Sequence, residues 1–137
     1  EVYHAGTLNA NVASVAAALA TVDLLAADEG ALLRHIAETG ATLRDGLRDL
    51  AHRHELPLRA AGPGAMFHLG FTAQREVRDY RDTLGFDRDR YRALCIAMLA
   101  QGVRLIGRGI WYVSAAHDDA DVARTLAAAD VAFGALT

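Results

Sequence analysis

One break in periodicity limits what this chain can fold into. From Asn11 onward, Val15, Leu19, Val22 and Ala26 recur at helical spacing, and Leu32, Ile36, Leu43, Leu47 and Leu50 continue such a stripe in a second helix. At Pro57 the period changes. Gly62-Pro63-Gly64 reads as a turn, and Phe67, Leu69 and Phe71 then alternate with Met66, His68 and Gly70, as in a strand buried on one face. Tyr91, Leu94, Cys95 and Met98 restore a helical stripe, with Gly102 where a C-terminal cap is wanted. "VRLI" and "IWYVS" read as two strands joined through Gly107-Arg108-Gly109. Asp118, Asp119 and Asp121 open a last helix, whose inner stripe is Val122, Leu126, Ala129 and Phe133. The predicted order is helix-helix-strand-strand-helix-strand-strand-helix. It gives an α+β, two-layer domain whose mainly antiparallel sheet carries helices on one face. Gly40 and Gly46 lie inside the second helix, each costing about 1 kcal/mol against Ala, so local softness is expected there. The segment 73–90, dense in both charges, reads as a solvated irregular connection.

A length of 137 residues fits one compact domain, and a 53% hydrophobic content supports a packed core. A net charge of −3 provides no electrostatic footprint for nucleic acid. No apolar run is long enough to span a bilayer, and the single Cys95 has no internal disulfide partner, so a cytoplasmic setting is expected. The chain opens on Glu1 rather than Met, as an internal position of a longer polypeptide would. All 14 basic residues are Arg. No side chain of this sequence can therefore act as an amine nucleophile or form a Schiff base.

Several residue patterns bear on chemistry. Gly6-Thr7 stands just ahead of the first helix, where unpaired N–H groups and the helix dipole favour an anion, and where a Thr hydroxyl adds a donor. The competing reading is structural: Asn9 or Asn11 caps the helix and Gly6-Thr7 is plain loop. His52 and His54, at i,i+2, do not form a metal pair and read as surface residues; His68 and His117 read as structural. Cys95 reads as a small core residue. Ser114, His117 and Asp118 are close in sequence but lack a nucleophile-elbow context. Arg108, held between two glycines at a turn, presents a planar fork suited to a carboxylate; a plain exposed turn residue is the alternative.

Three stretches in order resemble one family. "HAGTLNANVASVAAALATVDLL", "GPGAMFHLGFT" and "AMLAQGVRLIGRGIWYVSAAHDDADVARTL" are similar to segments of the class III pyridoxal-phosphate (PLP)-dependent aminotransferases, in particular the glutamate-1-semialdehyde aminomutase-like branch. The resemblance covers essentially the whole chain. It departs where Val12 follows Asn11 in place of the family's usual Pro, and where Asn9 and Ala10 replace small Ser/Gly residues. It implies the C-terminal part of a PLP fold type I enzyme. Residues 1–28 would form a cofactor-phosphate loop and interdomain helix, and residues 29–137 the small domain. Gly6 and Thr7 would reach PLP phosphate across a homodimer interface. The cofactor Lys and the Asp that pairs with the pyridine nitrogen would belong to an upstream large domain. An amino group would move between small amino and keto substrates, or between neighbouring carbons of one substrate, with Arg108 as the candidate grip on a substrate carboxylate. Lacking Lys, this chain would be inactive by itself. The reading from a different class is a freestanding, non-catalytic α+β domain that binds a protein or an anion.

Overall fold

A computed structural model describes residues 6, 8, 9 and 11–136. The chain divides into two compact units, Glu1–His35 and Ile36–Thr137.

In the first unit, two tight turns lead into the helix α1 (Val12–Arg53): Asn9 N–H donates to the Gly6 carbonyl (3.1 Å) and Asn11 N–H to that of Leu8 (3.1 Å). Asn11 is the cap. Its Oδ1 accepts from the Ser14 N–H at 3.0 Å and from the Ser14 hydroxyl at 3.1 Å. The helix is broken at Ala27–Gly30, where Asp28, Glu29 and Gly30 have φ of 50°, 55° and 76°. This break divides the two helical stripes of the sequence. Left-handed backbone is unfavourable for the two L-residues, and Arg34 donates to the freed carbonyls of Asp28 and Glu29.

The second unit holds the core. The remainder of α1 buries Leu43, Leu47, Leu50 and Ala51. It ends in a two-bond C-cap, with Glu55 N–H donating to His52 O, Leu56 N–H donating to Ala51 O, and Glu55 at φ 54°. The stop thus precedes Pro57. Three antiparallel strands follow in spatial order β1 (Leu58–Ala61), β2 (Met66–Phe71) and β3 (Ile110–Tyr112). The register pairs Ala60 with Leu69 and Phe67 with Trp111. The inner face carries Phe67, Leu69, Phe71 and Trp111. It packs with α1, α2 (Arg88–Ala100) and α3 (Asp119–Gly134) into one cluster that includes Tyr91, Leu94, Met98, Val122 and Phe133. The Phe67 and Trp111 rings stack at 5.7 Å. The expected two-layer α+β domain is what forms.

Two expectations are corrected. "VRLI" is not a strand: the sheet of the described residues is β1-β2-β3, and 103–106 forms no ladder with β3, its expected partner. Val103 and Leu105 still pack against the core while Arg104 and Ile106 are exposed, which explains the alternation. Gly40 and Gly46 are sites of close packing, not of softness. A Cβ at Gly40 would lie 1.8 Å from the Gly64 carbonyl oxygen, and one at Gly46 would lie 2.8 Å from a Leu126 methyl. The Gly62-Pro63-Gly64 turn therefore seats on α1 at Gly40, and α3 approaches it at Gly46. The free edge of β1 is also covered: Arg48 Nε donates to Ala60 O and Arg44 to Gly62 O, both at 2.7 Å, which blocks pairing with a stray strand. Asp45 ties these two guanidinium groups together at 2.9 Å each.

Candidate functional site

The sheet face that bears His68, Gly70 and Ile110 borders a cleft of about 450 Å³. Its floor is His68, Gly70 and Ile110. One rim is Gly107-Arg108-Gly109, and the other is formed by Tyr80, Thr83, Phe86 and the start of α2 at Asp87-Arg88. Each wall has a local cause. The Gly109 backbone, at φ 82°, bends into the turn, and its carbonyl accepts from Leu69 N–H at 2.7 Å. Gly70 lacks a side chain where Phe86 lies: a Cβ there would stand 2.2 Å from the Phe86 ring. Asp87 caps α2, accepting from Arg90 N–H at 2.8 Å, while its own N–H donates to Phe71 O at 2.9 Å. That fixes α2 to the end of β2.

Arg108 is exposed on the rim, as its turn position predicts. His68 is half-buried, its ring 5.6 Å from that of Phe86. Burial lowers its pKa below the ordinary 6.5, offset in part by the Arg108 main chain near the ring. Tyr91 is buried at the back of the cleft and donates to Ile106 O at 3.1 Å; burial foremost raises its pKa. The arrangement offers two exposed guanidinium groups, Arg108 on one rim and Arg88 on the other, beside the Phe86 and Tyr80 rings. That combination suits a small carboxylate with an apolar remainder.

Phe86, Tyr80 and Thr83 were hidden from sequence reasoning inside the charged segment 73–90. The signal available was Gly70, a glycine in a strand interior, which marks the close approach of another group.

The other candidates separate cleanly. Gly6 is exposed and its carbonyl closes the first turn; Thr7 lies outside the described residues. Asn11 makes the cap, as the structural reading of this stretch expects. The chain holds no Lys to bind PLP covalently. Cys95 is half-buried, and burial chiefly raises its thiol pKa, away from reactivity. His54 is not a free surface residue: its Nε2 lies 2.7 Å from Asp130 Oδ1, joining the end of α1 to α3. His52 is exposed. His117 Nδ1 accepts from Ser114 N–H at 3.1 Å, a local turn leading into α3 on the exposed surface. Among the described residues no group of three His, Cys, Asp or Glu could hold a metal, and no helix is long and apolar enough to cross a membrane.

No family model matches the chain. It is 36% identical over 140 aligned residues to glutamate-1-semialdehyde 2,1-aminomutase of Chloroflexus aurantiacus, covering 98% of this chain and 31% of that protein. Its fold matches the FumI protein of Sphingopyxis sp. MTA144, solved with PLP, at a TM-score of 0.76 and 30% identity, over 98% of this chain and 30% of that one. An omega-transaminase from Sphaerobacter thermophilus shares the fold at a TM-score of 0.81 and 24% identity, over 96% and 30% of the two chains. The chain thus spans about three-tenths of the length of the proteins it matches.

Proposed function

This chain corresponds in sequence and fold to the C-terminal portion of a class III PLP-dependent aminotransferase or aminomutase, and from that premise we propose that it works as that portion of such an enzyme. What carries the reading is the match of nearly the whole chain to under a third of an aminomutase, together with the absence of Lys. PLP, when bound, supplies the electron sink for amino-group chemistry. The amine that holds it comes from an upstream large domain.

In this reading Gly6 permits close backbone approach and the Thr7 hydroxyl donates to the cofactor phosphate held in the partner subunit of a homodimer. Residues 1–28 serve as loop and interdomain helix, and 29–137 as the small domain. The stripe on the first part of α1, with Leu19 60% and Val22 59% exposed, supports a role as a docking surface for the large domain or the second subunit. Arg108 grips the carboxylate of a small amino or keto substrate. The setting is cytoplasmic.

The size of the polypeptide that carries this segment in its source cells tests the reading. A mass several times 14.6 kDa, with PLP bound, is expected. A product near 14.6 kDa without PLP would leave a binding domain as the function. In the complete enzyme, Arg108→Ala should raise KM for acidic substrates far more than it lowers kcat; unchanged kinetics would remove Arg108 from the site.

A further inference from the structure

We propose that His68 is a positioning residue for Arg108: its imidazole, wedged between the Gly109 main chain and the Phe86 ring, holds the Gly107-Arg108-Gly109 turn at the mouth of the cleft. Four observations converge on this. His68 is the β2 residue paired with Ile110, so the register brings its side chain beneath the turn that immediately precedes β3. A Cβ at Gly109 would lie 2.5 Å from His68 Nε2, so ring and main chain are in direct contact and no L side chain fits between them. The Arg108 main chain lies near enough to the ring to favour its protonated form. On its other side it meets Phe86 at 5.6 Å.

The turn is held unequally. Gly109 is fixed by Leu69 N–H and by His68, whereas a Cβ at Gly107 would have no neighbour within 4 Å. Arg108 therefore sits between a residue packed on His68 and one with open space beside it. With the ring in place, the guanidinium is delivered from a fixed main chain and loses less entropy on meeting a carboxylate. Without it, the turn keeps only the main-chain anchors at its two ends, Ile106 O on the Tyr91 hydroxyl and Gly109 O on Leu69 N–H, and loses its side-chain support from below. The His68–Phe86 contact also links the two rims, so the Arg108 turn and the Asp82–Gly85 segment share one support. The ionisable groups lining the same cleft are Tyr80, Asp87, Arg88, Tyr91 and Arg108; Asp87 is engaged in capping α2.

That Arg108 serves a carboxylate rests on the function proposed above; the hold of His68 on the turn does not. The test uses the full 137-residue chain labelled with nitrogen-15. In the wild type, Arg108 and Gly109 amide shifts should follow the titration of the His68 ring, with a shared midpoint below 6.5. Amides that stay flat while His68 titrates would overturn the proposal without any variant. In His68→Ala, backbone order parameters at Arg108 and Gly109 should fall from about 0.85 to below about 0.6. His68→Gln, which keeps a side-chain donor, should restore the order but abolish the titration. Wild-type order in a folded His68→Ala chain would also overturn it. Succinate, titrated separately while the Arg108 Nε signal is followed, tests the carboxylate reading: with no response in the wild type, that reading fails in this chain, and the fate of His68 is still decided by the first measurements.

Discussion

The two parts of α1 carry the same kind of sequence signal and meet opposite fates. Val15, Leu19 and Val22 are 42%, 60% and 59% exposed, whereas Leu43, Leu47 and Leu50 are 8%, 0% and 5% exposed. Periodicity states that a helix face wants a partner; it does not say whether the partner is in the same chain. In the second part the partner is present, as the inner face of the sheet together with α2 and α3. For the first part, the described residues provide no cover, and this chain matches only three-tenths of its relatives' length. Under the function proposed above, this exposed stripe is the one that meets a large domain or a second subunit.

The comparison can be broken by mutation. Leu47→Ala removes a fully buried side chain and should cost about 2–5 kcal/mol in urea unfolding. Leu19→Ala in the same chain should stay within about 0.5 kcal/mol. A cost for Leu19→Ala that grows with protein concentration would mean the first stripe is already covered by a second copy. Gly40→Ala should come next in size. The new Cβ would collide with the Gly64 carbonyl, and two backbones must part to admit it, so a loss of about 1–3 kcal/mol is expected by the same measurement. Softness at Gly40 would instead predict a gain of about 1 kcal/mol from Ala, so the sign of the change decides.

Much of this was legible from residue order. The break between two helices, the hairpin through Gly62-Pro63-Gly64, the inner faces of α2 and α3 and the cap at Gly102 all follow from period and turn chemistry, which are local. What escaped was non-local. Val103 and Leu105 alternate as strand residues do, but the alternation reports only that one side meets the core, not that a ladder forms. Gly40 reads as a weak helix residue until Gly64, 24 positions away, comes to lie against it. Phe86 was masked by charged neighbours that are themselves solvated. Arg108 could be seen as exposed from the glycines around it, but the His68 ring beneath it required the register of β2 against β3. The site was thus legible as residues and not as an arrangement.

The smallest effects lie at the exposed start of α3, where a polar device works without burial. Asp118 accepts from the Asp121 N–H at 2.9 Å and Asp121 accepts from the Asp118 N–H at 3.2 Å, a reciprocal capping box. Asp118→Ala should cost about 1 kcal/mol. The hydrogen bond from the Asp118 main chain, then that from Arg124, holds the Asp121 carboxyl below its ordinary 3.8. Its folded-state pKa is therefore lower than its unfolded one. The contribution is complete above about pH 4 and is lost as pH falls through the folded value. Asp45 is depressed in the same direction by Arg44, so the wild-type acid limb contains both groups. The difference between wild type and Asp121→Asn isolates one of them. It should be flat above pH 4, and the wild-type advantage should shrink below it. An advantage unchanged down to pH 2 would mean that the carboxylate charge at 121 contributes nothing and that the box acts through neutral hydrogen bonds only. In that case the start of α3 would depend on geometry alone, as the glycine contact at Gly40 does, and charge would play no part in either.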